Sequence, residues 1–414
     1  MSGDSASNTH AHAKRALLAV TLINLFNYLD RYVVSALAGS LKEALTLSDG
    51  QLGSLMSGFI VVYMATSPVF GVLGDRYSRP RLIAVGVAVW SVATAVAGFS
   101  RSFVQLFVAR SLVGVGEAAF GTISPGLLAD FFPKEQRGRV FALFFMAIPV
   151  GSALGFIVGG LVDQAAGWRA AFFIAGVPGL LLALWCMYLY DPPRGAQDDA
   201  TAVSGQPFLR AYLSFCTNRS YVLAVLGYAA YTFALGGLAY WMPSFLERVR
   251  GVPRAQATVQ FGAVVVVTGL VGTLVGGWVG DRLYRRVGQA YLWLCGVATL
   301  AAVPLAWLVF NVEGEVAYLA SLTAAQLLLF ASTGPINSAI VNAIAPGDRA
   351  KAVGLSIFVM HALGDVPSPL VIGLLADASS LAKAMEIVLV AIALAGLVWT
   401  FGALWPSRAP AVAA

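Results

Sequence analysis

Apolar residues fill the chain in segments of about 20 residues or more, each bounded by charged residues or by clusters of glycine and proline. A helix of that length is long enough to cross a hydrocarbon core of about 30 Å. The sequence therefore predicts twelve transmembrane helices, arranged as six, a polar gap and six more. They cover residues 16–38, 51–74, 82–100, 103–131, 139–162 and 169–190, then 220–246, 256–280, 288–310, 316–345, 351–376 and 382–405.

The polar gap between the two sets of six segments predicts a linker between two halves. It runs from Asp191 to Arg219 and contains prolines, glycines and aspartates in place of the apolar residues on either side. Such a composition favours an extended connection over a further membrane crossing. We therefore expect an N-terminal tail at 1–15, a six-helix lobe at 16–190, a linker at 191–219, a second six-helix lobe at 220–405 and a C-terminal tail at 406–414.

The composition excludes a water-soluble globule. The 414 residues are 59% hydrophobic and 11% charged, whereas an ordinary soluble domain has roughly 25% charged residues. The formal net charge is +6, but the basic residues are dispersed between the apolar segments, so we expect no nucleic-acid partner. The three cysteines, Cys186, Cys216 and Cys295, have no spacing typical of a metal or redox site, and we interpret them as small apolar side chains.

Lysine and arginine are unevenly shared between alternate loops, which predicts an orientation in the bilayer. By position along the chain, one side carries 17 of them and the other side carries seven. Cytoplasmic loops carry the excess of positive charge. We therefore expect an integral protein of the plasma (inner) membrane with the linker and both termini in the cytoplasm, and an even number of spans agrees with this.

Two sets of residues recur about half a chain apart, which indicates an internal repeat. The first set recurs at a shift of 206 residues and the second at a shift of 214 residues. An internal repeat of six spans is typical of two-lobed transporters. The first set is Gly71, Gly74, Asp75, Arg76 and Arg79 with Gly277, Gly280, Asp281, Arg282 and Arg285, and the second is Met146, Gly159, Leu161 and Asp163 with Met360, Gly373, Leu375 and Asp377.

The loop after the second segment, Gly71–Arg81, resembles the signature of the major facilitator superfamily, and Gly276–Arg286 resembles its weaker second copy. In physical terms, glycines allow close helix approach, an acid can face a helix N-terminus or a base, and arginines lie at the cytoplasmic surface. Such a cluster can hold two lobes in one conformation, while the alternative is an ordinary positively charged loop. The predicted cytoplasmic gate comprises Gly71, Asp75, Arg76, Arg79, Asp281 and Arg282.

Three further motifs resemble the spinster branch of this superfamily along essentially the whole chain. They are Asn27–Arg31 in the first segment, Val115–Ala118 with Pro125 and Asp130 in the fourth, and His361–Pro369 in the eleventh. The resemblance implies an all-α membrane protein of twelve helices in two pseudo-symmetric lobes, with alternating access. It also implies substrates of the lysolipid or sphingoid type.

Four charged residues lie inside predicted spans, where an unpaired charge costs about 2.5–3.5 kcal/mol or more. Asp30 and Arg31 lie in the first segment, and Arg110 and Glu117 share one face of the fourth, with Gly114 between them. We hypothesise that Arg110 binds an anionic head group beside an open slot at Gly114 and that Glu117 or Asp30 responds to protons. The alternative is a static network of buried ion pairs among the four residues.

A second polar pair is predicted in the eleventh segment, where His361 and Asp365 are spaced i, i+4 and share a helix face. The pair could relay a proton, or it could only join neighbouring helices. Asn27, Tyr231 and Asn337 are weaker candidates for residues lining a cavity. No metal or cofactor is expected, because the only other histidines, His10 and His12, lie in the N-terminal tail.

In the fifth segment Gly151, Gly155 and Gly159 recur every four residues. Together with Pro149 they loosely resemble the glycine and proline pattern of antiporter members of the superfamily. We favour the simpler interpretation, a seam of small residues where two helices pack closely.

Together these features predict a secondary transporter of a small amphiphilic substrate, coupled to protons and working as a monomer among membrane lipids. A facilitator, an exporter of other amphiphiles and a non-transporting membrane sensor are the alternatives. An intramembrane enzyme or an ATP-driven pump is not expected, because the sequence contains no HExxH, GxSxG, CxxC or Walker A motif.

Overall fold

The structure is a computed structural model that describes residues 3–197, 208–284, 286–344 and 349–404, and these residues form helices and turns without a strand. The helices are α1 (Gly3–Ala36), α2 (Ala38–Leu45), α3 (Asp49–Arg76), α4 (Arg79–Ala97), α5 (Phe103–Phe131), α6 (Lys134–Met187), α7 (Phe208–Thr217), α8 (Arg219–Arg248), α9 (Arg254–Tyr284), α10 (Ala290–Asn311), α11 (Glu315–Phe330), α12 (Thr333–Asn342), α13 (Arg349–Met360), α14 (Pro367–Ala378) and α15 (Leu381–Leu404). A π-helical turn, His361–Asp365, joins α13 to α14.

Eleven candidate membrane spans lie within the described residues, and one of them is long enough to cross twice. That span, Arg139–Met187, has 49 residues, or about 74 Å of helix at 1.5 Å per residue. Gly167 interrupts it with φ +81°, a backbone conformation that glycine adopts without steric cost. The fifth and sixth predicted segments therefore meet at Gly167, and the prediction of an all-α membrane protein with twelve crossings is confirmed.

The helix ends differ from the sequence prediction in several places. Helix α1 already begins at Gly3, within the predicted tail, and the predicted linker contains α7. The tenth predicted segment is divided into α11 and α12, and the eleventh is divided by the π-helical turn before Pro367. Proline has no backbone N–H to donate, so Pro367 is suited to the first turn of α14. The predicted tail at 406–414 lies outside the described residues.

The chain divides into two compact units. The first consists of Met1–Thr201 together with Leu246–Ala263, and the second consists of Ala202–Phe245 and Val264–Ala414. In the first unit α1 packs along α6 at the predicted glycine seam, where a Cβ atom on Gly155 would lie only 2.6 Å from the carbonyl oxygen of Leu29. The seam therefore allows two helix backbones to approach closely, as small residues do in membranes.

In the second unit, α10 packs against α15, and indole groups join helices that are distant in sequence. The indole N–H of Trp399 donates to the carbonyl oxygen of Ala224 at 3.0 Å, and that of Trp241 donates to Pro369 at 2.9 Å. Both indoles are fully buried. Each one thus satisfies a polar group inside an apolar bundle, where a missing hydrogen bond is costly.

Candidate functional site

Asp30 and Arg110 form a fully buried ion pair between α1 and α5. The side chain of Asp30 is 0% exposed and that of Arg110 is 2% exposed. One nitrogen of Arg110 donates to the two carboxylate oxygens of Asp30 at 3.1 and 3.3 Å, and the hydroxyl of Thr94 donates to the same carboxylate at 2.9 Å. Both carboxylate oxygens therefore accept hydrogen bonds, as a buried charge requires.

A second ion pair lies beside the first. Arg31 follows Asp30 on α1, and because consecutive residues on a helix point about 100° apart, the two side chains have different partners. The guanidinium of Arg31 donates one hydrogen bond of 2.7 Å to Glu117, whose side chain is 0% exposed. Aromatic rings surround the same guanidinium, and its central carbon lies 4.8 to 5.7 Å from their centroids. These rings belong to Tyr28, Phe59 and Tyr63.

The two ion pairs differ in how well their polar atoms are satisfied. Within the described part of the chain, Nε of Arg31, Oε1 of Glu117 and Nδ2 of Asn27 are buried without a hydrogen-bond partner. Buried polar atoms in proteins nearly always have partners, so each exception needs an explanation. The Asp30–Arg110 pair resembles a structural support, whereas the Arg31–Glu117 pair has bonding capacity left for another group.

The pairing differs from the arrangement that the sequence led us to expect. Arg110 and Glu117 do not flank an open slot at Gly114, because α3 passes there. A Cβ atom on Gly114 would lie 2.5 Å from the carbonyl oxygen of Phe59 and 3.0 Å from the nitrogen of Tyr63. The glycine therefore serves helix packing, and the four charges form two pairs between α1 and α5.

The histidine–aspartate pair of the second unit lies on the π-helical turn. Nδ1 of His361 lies 2.8 and 3.0 Å from the two carboxylate oxygens of Asp365, and both side chains are partly exposed. This turn lies close to α8, where a Cβ atom on Gly236 would lie 2.9 Å from Cβ of Asp365. The predicted i, i+4 pair thus forms.

The weaker candidates have separate environments. Tyr231 is buried, and its hydroxyl donates to the carbonyl oxygen of Leu329 at 2.8 Å while lying 3.1 Å from the hydroxyl of Thr333. Asn337 is exposed and donates to the backbone of Thr333 at 2.8 Å. Asn27 is buried on α1, about one helical turn before Arg31. Of the three, Asn27 is the one that lies with the charged residues.

The two copies of the predicted gate motif have different surroundings. In the first copy Arg79 is buried and forms ion pairs with Asp130 and Asp191, whereas Arg76 is exposed. Gly71 lies near Thr122 on α5, and the side chain of Asp75 lies outside the described residues. In the second copy Asp281 and Arg282 are both exposed. Asp281 accepts a 3.0 Å hydrogen bond from Tyr291, and the guanidinium of Arg282 lies 5.8 Å from the ring of Trp278.

Several contacts of these sites had no signal in the sequence. Thr94 lies in an ordinary apolar segment, and Asp191 lies in the predicted linker. The aromatic residues around Arg31 could have been suspected in part, because Tyr28 precedes Arg31 by three residues and Phe59 and Tyr63 are spaced i, i+4 on one helix face. Which charged side chain these rings would face was not predictable from that spacing.

Comparison with known proteins finds a family and a fold. The model of the Major Facilitator Superfamily matches residues 20–369. The protein spinster of Drosophila melanogaster is 32% identical over 367 residues, which cover 86% of this chain and 60% of the fly protein. The sphingosine-1-phosphate transporter SPNS2 of Xenopus tropicalis is 32% identical over 394 residues, which cover 90% of this chain and 76% of that protein. The chain thus spans less than two thirds of the length of the fly protein.

A solved structure has the same fold. It is the crystal structure of a bacterial homologue of the human lysosomal transporter Spinster in an inward-facing, unoccupied conformation. The TM-score is 0.86 at 23% identity, and the superposition covers 95% of this chain and 97% of that chain. At this identity the likeness supports the fold alone.

Proposed function

Because the chain belongs to the major facilitator superfamily and to its spinster family, we propose that it transports a small amphiphilic, lipid-like substrate with an anionic head group. Its activity is transport rather than catalysis. The name of the Xenopus tropicalis relative includes a phosphorylated sphingoid base, which supports a substrate of the lysolipid or sphingoid type. Transport proceeds by alternating access and is coupled to protons.

The observation that carries this proposal is the incomplete bonding of Arg31. A guanidinium can hold a phosphate or carboxylate through two parallel hydrogen bonds, and Arg31 uses one of its nitrogens on Glu117 while Nε has no partner in the described part of the chain. The aromatic rings of Tyr28, Phe59 and Tyr63 border the same guanidinium and provide apolar surface beside a charged group. That combination suits a substrate with a charged head and an apolar tail.

Proton coupling follows from competition for Arg31. An anionic head group that binds Arg31 takes away the cationic partner of Glu117, and a buried carboxylate without that partner favours its protonated form. Protonation of Glu117 in turn releases Arg31 for the head group. The charges that face Glu117 are Arg31, Asp30 and Arg110, and the last two already neutralise each other. Proton and anionic substrate therefore bind together and are released together.

Flux into proteoliposomes tests the proposed function. We would measure uptake of a fluorescent lysolipid by the purified protein with and without an imposed pH gradient, in wild type, Glu117→Gln and Arg31→Ala. The matched control is Arg101→Ala, which removes an exposed arginine outside the site. We expect gradient-dependent uptake in wild type and control, uptake without a response to the gradient in Glu117→Gln, and loss of uptake in Arg31→Ala. Equal uptake by wild type with and without the pH gradient would indicate a facilitator. Absence of any uptake would reject transport of lysolipids.

We further propose that the protein lies in the inner membrane with both termini in the cytoplasm, which the ratio of 17 to seven basic residues supports. The cluster around Arg79 then lies on the cytoplasmic side and serves as a gate together with Gly71, Asp75, Arg76, Asp281 and Arg282. Single-cysteine labelling with a membrane-impermeant maleimide from either side of the membrane would test the orientation. We also propose that the protein transports its substrate as a monomer.

We propose that His361 and Asp365 are a second proton-responsive element. Their 2.8 Å contact and partial exposure support this role, because histidine is a common proton shuttle in proteins. The variant His361→Gln keeps hydrogen-bonding capacity but does not titrate. It should narrow the pH range of transport, whereas an unchanged pH profile would assign the pair to helix packing.

A further inference from the structure

The first residues after the sixth span contact the gate motif of the first unit. The backbone N–H and Nε of Arg79 donate to the two carboxylate oxygens of Asp191 at 3.1 and 2.8 Å. Another nitrogen of Arg79 donates to the carbonyl oxygen of Pro192 at 2.6 Å. Because the side chain of Arg79 is only 6% exposed, most of its charge is satisfied by protein groups, and two of those groups belong to the predicted linker.

Arg194 caps the end of α3. Its guanidinium donates to the carbonyl oxygens of Gly74 and Tyr77, both at 2.7 Å. The last carbonyl groups of a helix have no partners within the helix, and a basic side chain bonds them favourably because the helix dipole is negative there. Arg194 therefore holds the turn between α3 and α4, which is the centre of the gate motif.

Gly195 completes the contacts with α5. Its backbone N–H donates to Asp130 at 3.0 Å, on the carboxylate whose other oxygen pairs with Arg79. Gly195 has φ +71°, a backbone conformation that is unfavourable for residues with a Cβ atom. Two carboxylates, of Asp130 and Asp191, thus balance two guanidiniums, of Arg79 and Arg194, across three segments of the first unit.

We propose that Asp191 and Arg194 are positioning residues of the cytoplasmic gate, which makes the start of the linker a working part of that gate rather than a passive connection. The inference rests on the proposed gate function of the Arg79 cluster. Asp191 directs the guanidinium of Arg79 toward Asp130, and Arg194 keeps the α3–α4 turn ordered. Each time the gate re-forms during transport, these contacts restore the same geometry.

The sequence indicates that this arrangement is specific to the first half. At the shift of 214 residues, Pro192 and Arg194 recur as Pro406 and Arg408, but the position of Asp191 is occupied by Trp405. The second half therefore has an indole in place of this carboxylate at the matching position of the sequence.

A spin label on the α3–α4 turn tests directly whether Asp191 and Arg194 hold that turn in place, an arrangement called the clamp below. Tyr77 is exposed and contributes its backbone oxygen to Arg194, so a label on Tyr77→Cys leaves that acceptor in place. The background carries Cys216→Ser, because Cys216 is exposed and would also react with the label, whereas Cys186 and Cys295 are buried. We would compare Arg194→Ala, Asp191→Asn and the conservative Arg194→Lys with the control Arg101→Ala, and record label mobility, binding of a fluorescent lysolipid and its turnover.

We expect Arg194→Ala and Asp191→Asn to free the label and to lower turnover at least about tenfold, the effect of losing a hydrogen bond to a charged group, with lysolipid binding unchanged. Arg194→Lys should recover part of the order and of the turnover. An immobile label in Arg194→Ala would overturn the clamp, and a freed label with unchanged turnover would overturn its role in gating. If wild type moves no lysolipid, the proposed substrate is wrong, while label mobility still decides the clamp.

Discussion

Arg31 and Glu117 are joined by a single hydrogen bond of 2.7 Å, and each has a buried polar atom without a partner in the described residues. One helix position earlier, Asp30 binds Arg110 and Thr94 and is fully satisfied. Two neighbouring ion pairs with the same chemistry thus have different roles. The complete pair supports the bundle, and the incomplete pair is available to exchange partners.

Glu117→Gln should uncouple transport from the proton gradient. The amide can still accept a hydrogen bond from Arg31 but carries no charge, so Arg31 is free for an anionic head group at every pH. We expect downhill uptake of a fluorescent lysolipid to persist while the response to an imposed pH gradient falls at least about tenfold, as for a coupling energy in the usual allosteric range. A gradient response equal to that of wild type would contradict the assignment.

Asp30→Asn should destabilise the protein more than Thr94→Val. The first change leaves the charge of Arg110 buried without its counter-ion, which costs roughly 3–5 kcal/mol. The second removes one hydrogen bond and costs about 1 kcal/mol. Thermal unfolding of the purified protein in detergent measures both. Equal shifts of the unfolding midpoint would show that the Asp30–Arg110 pair is not a structural support.

Arg248→Gln should loosen the segment Leu246–Ala263 within the first unit. Arg248 donates two parallel hydrogen bonds of 2.7 Å to Asp49, the first residue of α3. Lys42 also binds Asp49, so Lys42→Gln is a control that leaves the bidentate contact in place. We expect backbone hydrogen exchange in the α8–α9 connection to accelerate about fivefold in Arg248→Gln, because this pair is partly exposed and screened. Equal acceleration in Lys42→Gln would assign the effect to net charge alone.

Gly364→Ala should separate the π-helical turn from α8. A Cβ atom at Gly364 would lie 2.8 Å from the carbonyl oxygen of Ala229 and 2.9 Å from Cβ of Thr232. Such overpacking costs about 1–3 kcal/mol. Gly354 on α13 is the matched control, since a Cβ atom there meets no atom of the described structure within 4 Å, and Gly354→Ala should be neutral or stabilising. Detergent melting curves for the two variants should therefore move apart, and parallel curves would refute the close contact.

The membrane fold was predictable from the sequence because a bilayer imposes long apolar helices, and glycine spacing at Gly151, Gly155 and Gly159 predicted close packing that the structure contains. Helix interruptions were less predictable. The break at Gly167 and the π-helical turn at His361–Asp365 depend on tertiary contacts as well as on local composition.

The involvement of the four charged residues within the spans was also predictable, because charged residues in a span need partners. Their pairing was not, since it depends on the rotation of α5 against α1, and the sequence does not determine which face of α5 meets Asp30 and which meets Arg31. The contact of Arg79 with Asp191 spans 112 residues, and no spacing rule connects a loop motif with a linker.

Proton uptake on substrate binding is the most direct test of exchange at Arg31. The purified protein in weakly buffered detergent solution would be mixed with a saturating lysolipid while a pH-sensitive dye records protons taken up. Wild type should take up about one proton per bound lipid, and Glu117→Gln should bind the lipid without taking up a proton. The same proton uptake in both proteins, or no proton uptake by wild type with the lipid bound, would contradict the account.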